Sequence, residues 1–251
     1  MKSPNMKNLS GPTIPIDDGK LFQQSVTAMT QAHSENPVLL IRGLHKHFRS
    51  GSEDIPVLED FNLTLKAGES VALMGPSGSG KSTLLNILSG LESWSSGSIV
   101  LFGETMTPSR EADWTALRRT AIATVFQEAN LMPALTLREN LQLRASLAGR
   151  SDPDVDGWLA DLGLNGLAQR YPDQVSGGQR QRAALAMAFV MEPGLVLADE
   201  PTGSLDRRTA DQVADALFRF QKRNHCPLIL ATHDADLGAR CDRTVTPGNQ
   251  G

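Results

Sequence analysis

Short apolar runs alternate with amphipathic stretches along most of this chain. Val71-Ala72-Leu73-Met74, Ile122–Phe126, Leu195-Val196-Leu197-Ala198 and Leu228–Ala231 are too short for helices and apolar throughout, which predicts buried strands. Val38–Ile41, the alternating Phe61–Leu65, and Gly97–Phe102 ending at Gly103 read as further strands, with a polar loop from Arg49 to Asp54 between the first two. Leu84, Ile87, Leu88 and Leu91 fall at i, i+3, i+4 and i+7, one face of a helix. Thr115–Arg119, Ala183–Met191 and Asp211–Phe220 read as helical too, the last with Val213, Ala216, Leu217 and Phe220 on one side. Residues 129–175 read as a helical block. Thr136 and Glu139 form a capping box before Leu137, Leu141 and Ala145. Asp152-Pro153 offers a cap and first-turn proline before Val155, Trp158, Leu159 and Leu162, with Gly163 as the stop and Pro172 ending the next helix. The pattern is that of an α/β domain carrying an inserted helical subdomain.

Residues 1–36 break the pattern. They are polar and rich in Ser, Pro, Asn and Gln, which predicts a disordered tail. Phe22, Val26 and Met29 lie at helical spacing within it, and Met29 offers a second translation start. The stretch from Thr244 is short and polar, with little room for a last strand.

Composition narrows the classes. A chain of 251 residues, 40% hydrophobic, can bury one large α/β core. The net charge of −4 argues against a general nucleic-acid binder, which is normally basic. Two cysteines, Cys226 and Cys241, suggest no disulfide framework. No apolar run approaches the roughly 18 residues of a spanning helix, and the N-terminus lacks a signal-peptide core. A soluble chain is expected, any membrane role coming through a partner.

The candidate chemistry sits where apolar runs stop. Gly75-Pro76-Ser77-Gly78-Ser79-Gly80-Lys81-Ser82 reads G-x-x-x-x-G-K-S between a predicted strand and a predicted helix. Glycines let backbone N–H groups close around phosphate oxygens, and the helix start adds unpaired donors and a favourable dipole. Lys81 supplies a positive charge to the outer phosphates, and Ser82 a hydroxyl to Mg²⁺. Ser176-Gly177-Gly178-Gln179 opens another helix with its amides bared, a second anion-binding start where one protomer needs one. Asp199 and Glu200 end an apolar strand, Asp199 placed to hold Mg²⁺ and Glu200 to polarise a water. His233 ends another strand, and Gln127 a third. Phe48 is either a buried core aromatic or a ring that stacks on a base.

In chain order these features resemble the ATP-binding-cassette ATPases, the nucleotide-binding subunits of membrane transporters, from about Val38 to His233. The run Leu197-Ala198-Asp199-Glu200-Pro201-Thr202-Gly203-Ser204-Leu205-Asp206, with Glu139-Asn140 after Leu131-Met132-Pro133, looks most like the subgroup serving lipoprotein release and macrolide export. The resemblance implies a P-loop NTPase core with a mixed sheet, an antiparallel β subdomain and a helical subdomain at about 129–175, all within an ATP-binding domain of residues 37–251. It also implies residue roles. Phe48 matches the adenine-stacking aromatic, and Gly75 to Ser82, with Thr83, match the phosphate cradle. Gln127 would contact Mg²⁺ and the attacking water. Ser176, Gly177, Gly178 and Gln179 would face the γ-phosphate of the other subunit's ATP. Glu200 would be the general base, His233 a γ-phosphate contact, and Asp206 an interface residue. The implied cofactors are ATP and Mg²⁺. The implied partners are a second copy of the chain and an integral membrane permease, with no nucleic acid, at the cytoplasmic face of the inner membrane. A soluble cassette ATPase acting on a ribosomal or nucleic-acid partner, and a metabolite kinase, remain as alternatives.

Overall fold

A computed structural model describes residues 36–248, apart from residue 52. The disordered tail expected at residues 1–36, with its helically spaced Phe22, Val26 and Met29, lies outside the described residues apart from residue 36. Two sheets carry the strands. Strands β1 (Leu39–Ser50), β2 (Glu53–Leu65), β4 (Ser96–Leu101) and β5 (Glu104–Met106) form an antiparallel sheet in the order β2-β1-β4-β5. Strands β6 (Ile122–Val125), β7 (Leu195–Asp199), β8 (Leu228–Ala231), β3 (Ser70–Leu73) and β9 (Arg243–Val245) form a sheet in that order, parallel at every pairing. The α/β architecture with an antiparallel part is therefore present, with parallel and antiparallel strands kept in separate sheets.

The period-2 alternation of the central strands sorts their side chains between two cores. Leu195, Leu197, Ile229, Ala231, Val71 and Leu73 pack with the antiparallel sheet, with α1 (Lys81–Leu88) and with α2 (Glu111–Thr120). Val196, Ala198, Leu228 and Leu230 point the other way. They pack with α3 (Leu137–Leu147), α4 (Val155–Asp161), α5 (Gly177–Phe189) and α6 (Arg207–Arg223). Helices α1 and α5, whose N-termini carry the two glycine motifs, thus cover opposite faces of the parallel sheet.

Local chemistry explains most boundaries, including those the sequence pattern misplaces. The capping box at Thr136 and Glu139 forms and opens α3. Helix α1 stops at Leu88, and Leu91 is exposed rather than on its apolar face. Gly90 follows at φ +68°, where an added Cβ would sit 2.4 Å from the Trp114 ring, so α2 packs against the point where α1 ends. Helix α4 begins at Val155 under Asp154, whose carboxylate accepts from the Gly157 N–H at 2.8 Å. Asp152 and Pro153 therefore lie before it. Pro172 opens a 3₁₀ turn (Pro172–Gln174) instead of closing a helix. The expected polar loop from Arg49 to Asp54 is mostly strand, with Arg49 paired to Asp54. Backbone pairing needs no apolar side chains, so hydropathy does not reveal it. The polar end of the chain supplies β9, anchored where Asp242 accepts from the Ser70 N–H and hydroxyl, both at 2.7 Å.

Candidate nucleotide site

In the parallel sheet β6, β7, β8 and β3 are neighbours, so their carboxyl ends line one edge. That edge is where α/β sheets bind ligands. It carries Gln127 after β6, Asp199 and Glu200 at β7, Thr232 and His233 after β8, and the loop from Gly75 to Gly80 after β3. Sequence motifs far apart in the chain meet because each one ends a strand of the same sheet.

The glycine loop is held in a conformation that side chains resist. Gly78 and Gly80 have φ of +83° and +87°, and a Cβ on Gly80 would touch Leu58 and the Val57 carbonyl at 3.0 Å. Gly80 caps α1 without any side-chain hydrogen bond, so the first-turn amides have no side-chain acceptor there. The Ser79 hydroxyl is buried without a protein partner, and Ser77 and Pro76 are exposed at the rim. The buried Lys81 ammonium donates to the Gly75 and Pro76 carbonyls at 2.8 and 2.9 Å. Such a concavity of amides with one lysine suits a chain of phosphates. Thr83 follows half-buried on α1.

Asp199 and Ser82 form the oxygen pair beside this loop. The Ser82 hydroxyl hydrogen-bonds the Asp199 carboxylate. Burial pushes the Asp199 carboxyl above its ordinary value. The Ser82 bond opposes that rise, the Glu200 charge adds to it and the Lys81 charge opposes it. A half-buried carboxylate beside a hydroxyl at a helix start is a donor set that fits a hard divalent cation such as Mg²⁺.

Glu200 takes the left-handed backbone region at φ +46°, which non-glycine residues adopt chiefly where surrounding structure holds them there. Its carboxylate is 2.9 Å from His233 Nδ1 and accepts from the buried Thr232 hydroxyl at 3.4 Å. Gln127 lies close by, since a Cβ on Gly203 would sit 3.3 Å from its amide nitrogen and 3.5 Å from the Glu200 Cβ. The buried Gln181 of α5 donates to the Phe126 carbonyl at 2.7 Å, tying the strand that delivers Gln127 to the helix of the second glycine motif.

That second motif stands apart from this edge. Ser176 caps α5, accepting from the Gln179 N–H at 3.2 Å, while the Gln179 side chain accepts from the Ser176 N–H at 2.8 Å. Gly177 is open to solvent, but a Cβ on Gly178 would sit 2.1 Å from the Thr209 methyl. Thr209 is fixed by Asp206, the cap of α6, which accepts from its N–H at 3.1 Å and its hydroxyl at 2.7 Å. The Thr209 hydroxyl holds the Asp206 carboxyl below the ordinary aspartate value, assisted by the backbone N–H. Phe48 is on β1, its ring partly exposed rather than in the core.

Sequence reasoning missed Thr232, Gln181 and Thr209, the polar residues that hold motif residues in place. Gln181 lies inside the polar run Gln179–Arg182, which gives no sign that it is buried. The threonines give none either.

The family model described as ABC transporter matches residues 58–203. The chain is 42% identical over 212 residues to the ABC transporter ATP-binding protein YbbA of Escherichia coli K12, covering 83% of this chain and 93% of that one. It is 41% identical over 214 residues to the lipoprotein-releasing system ATP-binding protein LolD of Anaeromyxobacter dehalogenans, covering 83% and 90%. Among solved structures, the dimeric post-hydrolysis state of the ATP-binding cassette MJ0796 bound to ADP and Pi matches with a TM-score of 0.76 at 32% identity, covering 84% of this chain and 94% of that one.

Proposed function

This chain belongs to the ABC transporter family and is an ATPase of that family, and from this we propose that two copies pair head to tail around ATP to drive an integral membrane permease. The observation that carries the proposal is the placement of the two glycine-opened helices on opposite faces of one sheet. One copy cannot readily close both around a single triphosphate. Two copies related by a two-fold axis can, each giving Lys81 to one ATP and Ser176, Gly177, Gly178 and Gln179 to the other. ATP then joins the copies, and its hydrolysis releases them.

Within each site the loop from Gly75 to Ser82 binds the phosphates, and Phe48 stacks on adenine. Ser82, Asp199 and Gln127 would hold Mg²⁺, which would supply charge neutralisation on the phosphates when bound. Glu200 takes the proton of a water positioned by Gln127. The water oxygen bonds to the γ-phosphorus, and the bond from phosphorus to the bridging oxygen breaks. ADP leaves with the electron pair. His233 holds Glu200 through Nδ1 and turns its other ring nitrogen to the γ-phosphate. Asp206 sets the interface loop. The helical insert at about 129–175 follows the permease, whose work is of the export or lipoprotein-release type at the cytoplasmic face of the inner membrane. Among the described residues no helix is long and apolar enough to cross a membrane.

Mixing two disabled variants tests the pairing. Lys81→Ala and Ser176→Arg each abolish hydrolysis alone. A mixed pair keeps one intact site, with Lys81 from one copy and Ser176 from the other, so an equimolar mixture recovers up to roughly a quarter of wild-type activity under random two-fold pairing. No recovery above either variant alone overturns the head-to-tail site.

A further inference from the structure

The lysine at position 46 is unusual for its residue type, being 6% exposed. Its ammonium has two partners. One is the Glu92 carboxylate at 2.7 Å, and the other is the face of the Phe48 ring, with 4.5 Å to the centroid. Strand β1 is irregular at this point: its pairing with β2 slips between Leu44 and Lys46 and again between Lys46 and His47. The extra residue lies on β2 at both slips, and Lys46 and Phe48, two residues apart on β1, share one face of the strand. Glu92 is tied in turn to the far end of the phosphate-loop helix, where its N–H donates to the Asn86 carbonyl at 3.2 Å. Its carboxylate also accepts from the Ser93 N–H at 3.0 Å. The hydrogen bond from Lys46 holds Glu92 below the usual carboxylate range against its partial desolvation.

We propose that Lys46 is a positioning residue for base recognition, clamping the Phe48 ring from one face so that the other face is presented to adenine. The inference rests on the reading of Phe48 as the base-stacking ring. A cation against an aromatic face attracts it electrostatically and limits its rotation. With Lys46 held by Glu92, the ring does not have to be ordered when the base arrives. The Lys46–Glu92 pair also joins β1 to the same helix whose N-terminus bears Lys81. The base end and the phosphate end of the site thus share one frame.

A purely structural brace and a base clamp differ in what they do to a ligand without a base. Titration calorimetry of the full-length chain with Mg-ATP and with Mg-inorganic triphosphate separates them. Lys46→Met is expected to weaken ATP binding by about 3- to 10-fold, the scale of freeing one immobilised side chain at an interface, while triphosphate affinity stays within roughly twofold. Lys46→Arg, which keeps the cation, restores ATP affinity. Phe48→Ala shows the same selective loss of ATP. Glu92→Gln keeps the lysine but removes its anchor and gives a smaller loss in the same direction, which serves as the readout if Lys46→Met does not fold. Equal weakening of both ligands, or no weakening of ATP, in the folded variant overturns the clamp while Phe48→Ala still discriminates. If Phe48→Ala leaves ATP affinity unchanged, the base-stacking reading fails and this inference falls with it.

Discussion

Replacing Gly178 by alanine tests how the second glycine motif is seated. The added Cβ would lie 2.1 Å from the Thr209 Cγ2 atom and 3.4 Å from Thr209 Cβ and Oγ1, so something must move. The neighbour is poorly able to give way. Threonine is β-branched and stiff at χ1. Turning the methyl aside also takes the hydroxyl off Asp206, which it reaches at 2.7 Å. The remaining route is for the start of α5 to lift away from α6. Overpacking of this kind costs about 1–3 kcal/mol. In a folded region of this size that corresponds to a fall of roughly 2–12 °C in melting temperature. Because the shift occurs at the N-terminus of α5, ATP hydrolysis should fall further than the stability loss explains. The double variant Gly178→Ala with Thr209→Ser removes the clashing methyl and keeps the hydroxyl for Asp206. It should regain most of the lost stability and part of the activity, measured by thermal melts and phosphate release. If Gly178→Ala melts like the wild type, or Thr209→Ser brings no recovery, the proposed seating of α5 against Thr209 is wrong.

Other outcomes follow from the same geometry. Glu200→Gln should bind ATP and accumulate as an ATP-bound pair on size-exclusion chromatography, with turnover down roughly 10²-fold or more; turnover at the wild-type rate refutes the general-base role. Because burial raises the Asp199 carboxyl, a proton should compete with Mg²⁺ at a higher pH than for a free aspartate, and Asp199→Asn should remove that part of the pH dependence of Mg-ATP affinity in calorimetry. Asp242→Asn weakens the anchor between β9 and β3 by about 0.5–1 kcal/mol after allowance for solvent screening. The Asp242 carboxyl is depressed, chiefly by the Ser70 hydroxyl, so its contribution is complete above the ordinary aspartate value of 3.8 and is lost as pH falls below it. Denaturant melts of wild type and variant should therefore converge in acid.

Most of the strand and helix order was legible because burial on both faces of a parallel sheet writes itself as unbroken apolar runs. Leu195–Ala198 and Leu228–Ala231 are of this kind, and both are fully buried central strands. What hydropathy did not reveal are the elements held mainly by backbone pairing and polar side chains. The exposed half of the β1–β2 hairpin and the polar β9 have no apolar signature, since their ladders are satisfied whatever the side chains are. Leu91 misled for the opposite reason. Its spacing continued the apolar face of α1, but Gly90 and the Trp114 ring against it ended the helix first.

The same division runs through the site. Lys81, Asp199, Glu200 and His233 announce themselves because each ends a strand or opens a helix beside a recognisable punctuation of glycines or acids. Their supports do not. Thr232, Gln181, Thr209 and Glu92 are ordinary residue types at ordinary spacings, and only the fold brings them within hydrogen-bonding reach of the groups they hold. Two of those supports also tie α5 to its surroundings. Gln181 fastens α5 to the strand ending at Gln127, and Thr209 seats α5 against α6, which follows the loop of Glu200 and Asp206. A displacement of the α5 start by a neighbouring molecule would thus be felt at Gln127 and at the Glu200 loop through short, stiff contacts.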